Sequence, residues 1–121
     1  MKKDTDIFLV DTYGESQTFY SLSKVVFLGG SFVPRGGQNP LEPIRYGCYV
    51  THGKHIFNFT EIYNMLNKKR LSFKAKNTLE LRKLILNLLM KASKNKRETN
   101  KFRKIGSNIL QKNFRKLRVL I

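Results

Sequence analysis

The fold of this chain is decided by one stretch, GGSFVPRGGQNPLEP, which occupies residues 29–43. It follows a short apolar run, residues 25–28, which is typical of a buried strand in a parallel sheet. The glycines allow positive φ angles and a close approach of a ligand to the backbone. Asn39 and Pro40 then suit the cap and the first position of a helix, and Glu42 sits three residues after the cap. A strand, a glycine-rich loop and a helix N-terminus together are typical of a phosphate site.

The sequence around this stretch alternates between strand-like and helix-like segments. Helices are predicted over residues 15–23, 39–46 and 59–67, with Phe19 and Leu22 on one face of the first and Gly47 after the second. Strands are predicted over residues 7–10, 25–28, 48–51 and, weakly, 71–73. Such alternation is typical of parallel strands joined by helices, so the predicted fold class is α/β.

Two amphipathic helices of the same domain are predicted after residue 76. Asn77 and Glu80 indicate a capping box for the first. Because apolar residues recur at helical spacing in both, we expect both apolar stripes to cover the sheet. With 121 residues there is room for one modest domain, in which residues 77–121 form the basic C-terminal helices. The two stripes are Leu81, Leu84, Ile85, Leu88 and Ala92, and Phe102, Ile105, Ile109, Phe114 and Leu117.

The net charge of +16 is distributed unevenly along the chain. Residues 1–66 carry six basic and six acidic side chains, so the whole excess lies in residues 67–121. Such a block attracts anionic surfaces, either membrane lipids or nucleic acid. An AT-rich genome would supply abundant lysine equally well. Nucleic acid is the least favoured partner, because the sequence has neither an interleaved aromatic platform nor a known nucleic-acid motif.

Cysteine content and hydropathy exclude several other classes. Cys48 is the single cysteine, so no internal disulfide is expected, and a reducing compartment and a buried, inert thiol are favoured. No signal peptide is visible, and the apolar-rich residues 84–90 are far too few to span a bilayer. One cysteine and two histidines are too few for a metal site, so no metal is expected.

Residues 29–43 resemble the GGSxVPxGGHNxLEP signature of the 3-deoxy-D-manno-octulosonic acid (Kdo) transferases. Upstream, LVDTYGE at residues 9–15, followed by Phe19 and Tyr20, resembles the DTxGEL and FY segment of that family. Downstream, GKHIFNF at residues 53–59 resembles its GPHxxNF segment. The three matches keep the order and spacing of the family.

Three residues depart from this family pattern. Gln38 stands where the family has His, and because a glutamine side chain cannot titrate, no proton-transfer role is expected at this position. Ser16 stands where it has Leu. Lys54 replaces Pro, which removes a rigid turn but adds a cation near the expected phosphate.

The resemblance implies a GT-B glycosyltransferase that transfers Kdo from CMP-Kdo to a lipid A precursor at the cytoplasmic face of the bacterial inner membrane. It implies that this chain is the C-terminal part of the donor-binding, Rossmann-like domain. The acceptor domain, the catalytic carboxylate and a membrane anchor would lie N-terminal to it. We therefore expect half of a split enzyme, with a separate acceptor-domain chain as partner, or an inactive remnant. CMP-Kdo, the lipid A precursor and an anionic membrane surface are the other implied partners, and no cofactor besides the donor is expected.

The candidate donor-nucleotide site follows from the loop and from this resemblance. A tight exit from the strand would explain the glycines but not Ser31. Glu42 either closes a capping box or accepts hydrogen bonds from ribose hydroxyls, and the resemblance implies the latter. Arg35 either pairs with a phosphate or the donor carboxylate or is a solvated loop residue, and Asn58 is also a plausible cap of the next helix. No catalytic residue is predicted in this chain. The site residues are Gly29, Gly30, Ser31, Arg35, Gly36, Gly37, Gln38, Asn39, Glu42, His55 and Asn58.

Overall fold

The computed structural model describes residues 4–10 and 14–94 of the 121-residue chain. Its three strands form one parallel sheet in the order β1-β2-β3. The predicted α/β class is therefore confirmed, and these three strands lie within one residue of their predicted positions. In chain order the elements are α1 (Ser16–Leu22), β1 (Val25–Phe27), α2 (Leu41–Arg45), β2 (Tyr49–His52), α3 (Thr60–Lys68), β3 (Ser72–Lys74) and α4 (Thr78–Lys94).

The core is built around the central strand β2, all four residues of which are buried. Val50 lies opposite Val26 of β1, and Thr51 lies opposite Phe73 of β3. Helices α2 and α3 contribute buried side chains to the same cluster, so the sheet is held by the helices that connect its strands. The core cluster consists of Leu28, Ile44, Val50, Tyr63, Leu66 and Leu71.

Helix ends follow the local chemistry of the sequence. The Asn77 side chain caps α4, since its Oδ1 accepts the N–H of Glu80 at 2.9 Å. Gly47 ends α2 with a φ of 83°, and its N–H donates to the oxygen of Ile44 at 2.9 Å. Both ends were predicted. After α3, which ends at Lys68, the residue with a positive φ is not a glycine but Arg70, with a φ of 57°.

The apolar stripe predicted for α4 faces inward, as expected. Leu88 is only 4% exposed, and the other four members of the stripe are half-buried. Contacts of α4 with β1 and β2 place this stripe on the sheet. The second predicted stripe, from Phe102 to Leu117, lies outside the described residues.

The predicted strand at residues 7–10 is wrong. These residues form no strand in the structure, and Ile7 and Leu9 are 88% and 84% exposed. On α1, Leu22, which was predicted to share a face with Phe19, is 68% exposed. The ring of Phe8 packs against that of Phe19 in α1, with ring centroids 6.2 Å apart. The described part of the chain offers these residues no covering layer on both faces, so burial of their side chains does not favour a strand there.

The thiol of Cys48 is buried, as predicted, and its Sγ lies 3.1 Å from the main-chain oxygen of Tyr20. Across residues 4–10 and 14–94, no helix combines the length and the apolar composition needed to cross a bilayer.

Candidate functional site

Two loops leave the carboxyl ends of neighbouring strands and pack against each other. The first, residues 28–40, connects β1 to α2, and the second, residues 53–59, connects β2 to α3. Open parallel sheets bind ligands at this edge. The candidate residues therefore lie where this class of fold places its ligands.

Ser31 fastens the first loop to the second. Its side chain is fully buried, and its Oγ donates to the oxygen of Leu28 at 2.7 Å and accepts the N–H of Gly53 at 2.9 Å. Its main-chain oxygen accepts the N–H of His55 at 2.9 Å. These bonds give Ser31 a structural role, which the sequence alone did not suggest, and its contact with a ligand stays a prediction.

Gly36 lies at a close contact between the two loops. Its φ is 93°, and a Cβ added there would lie 2.5 Å from Nδ2 of Asn58 and 2.6 Å from the ring of Phe57. Asn58 donates twice to the first loop, from Nδ2 to the oxygen of Arg35 and from its main-chain N–H to the oxygen of Gly36, each at 3.1 Å. The expectation that Asn58 caps α3 is wrong, because Phe59 occupies the cap position. Asn58 instead fixes the shape of the glycine-rich loop.

Gly37 and Gly30 close the loop on itself. The N–H of Gly37 donates to the oxygen of Gly30 at 3.0 Å, and both residues have positive φ angles, of 77° and 69°. A Cβ on Gly37 would lie 3.2 Å from the oxygen of His55, so the backbone of His55 borders the loop directly. The turn geometry alone thus accounts for these two glycines.

Gly29 has a different environment from every other glycine in the described part of the chain. Its φ lies outside the left-handed region, and a Cβ added there would meet nothing within 4 Å. Each of the others has a positive φ or, in the case of Gly53, a main-chain neighbour too close for a Cβ. The fold itself therefore does not require glycine at position 29.

The end of the loop leads into α2 through Gln38, Asn39 and Pro40. Asn39 Oδ1 accepts the N–H of Leu41 at 3.0 Å, which satisfies one helix-end donor. The reciprocal half of the expected capping box is not formed, since within the described residues the carboxylate of Glu42 accepts no hydrogen bond. Burial, together with the charge of Glu42, raises the pKa of the nearby Tyr20 phenol.

No protein-family model matches the chain. The chain is 47% identical over 64 residues to the 3-deoxy-D-manno-octulosonic acid transferase of Haemophilus influenzae. The matched residues make up 53% of this chain and 15% of that enzyme. It is 36% identical over 76 residues to the transferase of Aquifex aeolicus, 63% of this chain and 22% of that enzyme. The chain therefore spans less than a quarter of the length of these relatives.

A solved structure extends the likeness over most of the chain. The C-terminal CMP-Kdo binding domain of WaaA from Acinetobacter baumannii superimposes with a TM-score of 0.73 at 29% identity, covering 88% of this chain and 54% of that one. The chain belongs to the Kdo transferase family. It corresponds to a C-terminal fragment of a Kdo transferase.

The structure places most of the candidate residues of this Kdo transferase fragment together, in or beside the two packed loops. Gly30, Ser31, Arg35, Gly36 and Gly37 are held against the second loop through the bonds above, and Gly29 adjoins them at the end of β1. The side chains of Arg35, Gln38 and Asn39 are exposed, and that of Glu42 is half-buried in the first turn of α2. Their contacts with a nucleotide remain predictions.

Two residues that support the loops were not singled out from the sequence. Tyr63 is fully buried and donates its hydroxyl to the oxygen of Gln38 at 2.7 Å. His52, also fully buried, packs against its ring, with ring centroids 4.4 Å apart and ring planes inclined by 52°. A signal for Tyr63 did exist, because a tyrosine at a core position of a helix needs a partner for its hydroxyl.

Proposed function

We propose that this chain binds the nucleotide of CMP-Kdo between the two loops, as the donor-binding part of an enzyme that transfers Kdo to a lipid A precursor. The relatives named above are Kdo transferases, and the solved domain that the chain resembles binds CMP-Kdo. The donor is the only small molecule in this proposal, which includes no metal or other cofactor.

Gly29 is the observation that carries this proposal. A glycine that the fold does not require, with open space where its Cβ would be, is expected where a ligand touches the backbone. It lies at the carboxyl end of β1, next to the positive-φ turn that begins at Gly30. An anionic group seated there would face the exposed side chain of Arg35 and, on the neighbouring loop, that of Lys54.

The glycine-rich loop with the start of α2, and Glu42 in α2, would bind the phosphate and the ribose of the donor respectively. Main-chain N–H groups and the start of α2 would bind the phosphate and so stabilise the nucleotide as leaving group. The unbonded carboxylate of Glu42 would accept hydrogen bonds from the ribose hydroxyls. Gln38 stands where the family signature has His, so we assign it no proton transfer.

The remaining steps would depend on parts of the relatives that this chain does not span. We place the acceptor site and the catalytic carboxylate in those parts, in a GT-B arrangement with the donor bound in the cleft. The acceptor is a lipid, so the reaction would take place at the cytoplasmic face of the inner membrane. The net charge of +16 would favour contact with its anionic lipids.

Substitution of Gly29 tests the site directly. Gly29→Ala should keep or slightly raise the melting temperature, because alanine at an unstrained position restricts the unfolded chain. It should weaken CMP binding by about 5- to 100-fold, since a methyl group forced into a filled site costs about 1–3 kcal/mol. Isothermal titration calorimetry with CMP measures this effect. Wild-type protein that binds no CMP, or a variant that binds it equally well, would contradict the proposal.

A matched pair of glutamates tests the ribose contact. Glu42→Ala should weaken CMP binding by about 10- to 100-fold, because a hydrogen bond to a charged group contributes about 1.5–3 kcal/mol. Glu61→Ala removes an exposed carboxylate in the first turn of α3 and should leave the affinity unchanged. Equal losses in two folded variants would mean that Glu42 has no specific contact with the nucleotide.

A further inference from the structure

Tyr63 links the core of the domain to the end of the glycine-rich loop. Its ring packs inside the core cluster and against the ring of His52, 4.4 Å away. Its hydroxyl donates to the main-chain oxygen of Gln38 at 2.7 Å. Packing requires only the ring, which a phenylalanine would also supply. The hydroxyl therefore acts on the loop.

This hydrogen bond determines the direction of the following amide. The peptide unit is planar and trans, so the C=O of Gln38 and the N–H of Asn39 point to opposite sides. Because the oxygen is turned towards the buried Tyr63, the N–H of Asn39 is turned away from the core, on an exposed residue. Among the described residues no main-chain oxygen accepts this N–H, and the carboxylate of Glu42 does not accept it either, because the capping box is not closed.

Asn58 orients a second amide of the loop in the same way, three residues before the one that Tyr63 orients. Its Nδ2 holds the oxygen of Arg35 at 3.1 Å, which turns the N–H of Gly36 to the other side of that peptide unit. Asn58 and Tyr63 both belong to the segment that runs from the second loop into α3. This segment therefore sets the directions of two amides in the glycine-rich loop.

We propose that Tyr63 is a positioning residue of the nucleotide site: by holding the oxygen of Gln38 it presents the N–H of Asn39 to the phosphate of the ligand. This role presupposes the nucleotide site proposed above. This role can be distinguished from a general loosening of the fold, which would weaken the binding of every ligand. Loss of the hydroxyl should affect a ligand that carries a phosphate and spare the same ligand without it.

Tyr63→Phe, titrated with CMP and with cytidine, separates the two cases. We expect the Kd for CMP to rise about five- to ten-fold, the effect of one lost hydrogen bond, and the Kd for cytidine to stay unchanged. Thr51→Val is the matched control. It also deletes a buried hydroxyl that donates to a main-chain oxygen, that of Val26 at 3.2 Å, but it does so away from the loop. Its affinity for both ligands should equal that of the wild type.

Several results would overturn this role of Tyr63. They are an unchanged Kd for CMP, an equal loss for CMP and cytidine, or the same loss in Thr51→Val. If the wild type binds no CMP, the proposed function fails, and ¹⁵N relaxation of the ligand-free protein then decides about Tyr63 separately. Order parameters at Gln38 and Asn39 should fall in Tyr63→Phe but not in Thr51→Val. Unchanged order parameters in Tyr63→Phe would show that its hydroxyl does not hold the loop.

Discussion

His52 is a fully buried titratable residue at the carboxyl end of β2. Its Nδ1 lies 2.6 Å from the oxygen of Gly53, and its Nε2 lies 3.2 Å from Oδ1 of Asn67. Burial lowers the pKa of the imidazole and the charge of Lys74 acts in the same direction, while the two hydrogen bonds oppose the shift. Proton binding to His52 is therefore weaker in the folded protein than in the unfolded chain.

This lowered pKa makes stability depend on pH. The unfolded chain, with a histidine pKa of about 6.5, binds more protons than the folded protein between that value and the lower folded pKa. The contribution of His52 to the free energy of unfolding is thus fully present above about pH 6.5 and is lost as the pH falls through this window. Between about pH 7 and pH 5, the wild-type melting temperature should fall more than that of His52→Asn, which cannot titrate at this position. Circular dichroism melts measure both slopes, and equal slopes would contradict this prediction.

The loop residues show how much of the site was predictable at the scale of single residues. The position of the glycine-rich loop between a strand and a helix followed from its local sequence. The need for glycine at position 36 did not, because it arises from Asn58 and Phe57, more than twenty residues further along the chain. Ser31 likewise depends on its bond to Gly53. Contacts between distant segments leave no local pattern, so these roles required the structure.

Helix α4 has apolar side chains on two faces, and within the described part of the chain one of these faces is covered and the other is exposed. Leu88 packs inward and is 4% exposed, whereas Leu86, two residues earlier, is 53% exposed. We expect Leu88→Ala to lower the free energy of unfolding by about 2–5 kcal/mol, since it removes buried atoms and leaves a cavity. Leu86→Ala is the matched control on the same helix and should change it by less than about 0.5 kcal/mol. Urea unfolding at equilibrium gives both values. A similar loss in the two variants would mean that the outer face of α4 is also covered in solution.

The sequence predicted a strand correctly where an apolar run is also covered by a helix among the described residues. The apolar runs that became β1, β2 and β3 are covered by α2, α3 and α4, and their positions agree with prediction to within one residue. Residues 7–10 have an equally apolar pattern but no covering element among the described residues, and they form no strand. An apolar run fixes the preference for a strand, whereas its neighbours decide whether that strand forms.

The chain combines a strong positive charge with sheet edges beside which the described residues place no further strand. The net charge of +16 keeps copies of the chain apart at low ionic strength. Salt weakens this repulsion, since the Debye length is about 8 Å at 0.15 M and about 3 Å at 1 M. Association of two copies should therefore depend on how strongly salt screens the charge.

Strands β1 and β3 lie at the two edges of the described sheet, and the edge of β1 can be tested by substitution. The N–H of Leu28 donates to the oxygen of Thr51, and the oxygen of Lys24 accepts the N–H of Tyr49, so the even-numbered residues of this segment bond to β2. The N–H and C=O groups of Val25 and Phe27 consequently point to the other side. No strand of the described residues lies there, because the sheet order places β1 at one end. Such an edge is a template for pairing with another chain.

Proline substitutions along β1 distinguish edge pairing from other causes of association. We expect the wild type to be monomeric in dilute buffer and to associate at high salt, as followed by light scattering across a salt titration. Phe27→Pro removes an N–H that faces away from β2, so it should keep the fold and stay monomeric at high salt. Phe27→Ala, which loses the same ring but keeps the N–H, should associate like the wild type. Val26→Pro removes a bond to β2 and should destabilise the domain. If the wild type is a monomer at high salt with a cooperative melt, or if Phe27→Pro associates as the wild type does, the edge of β1 is not the contact between copies.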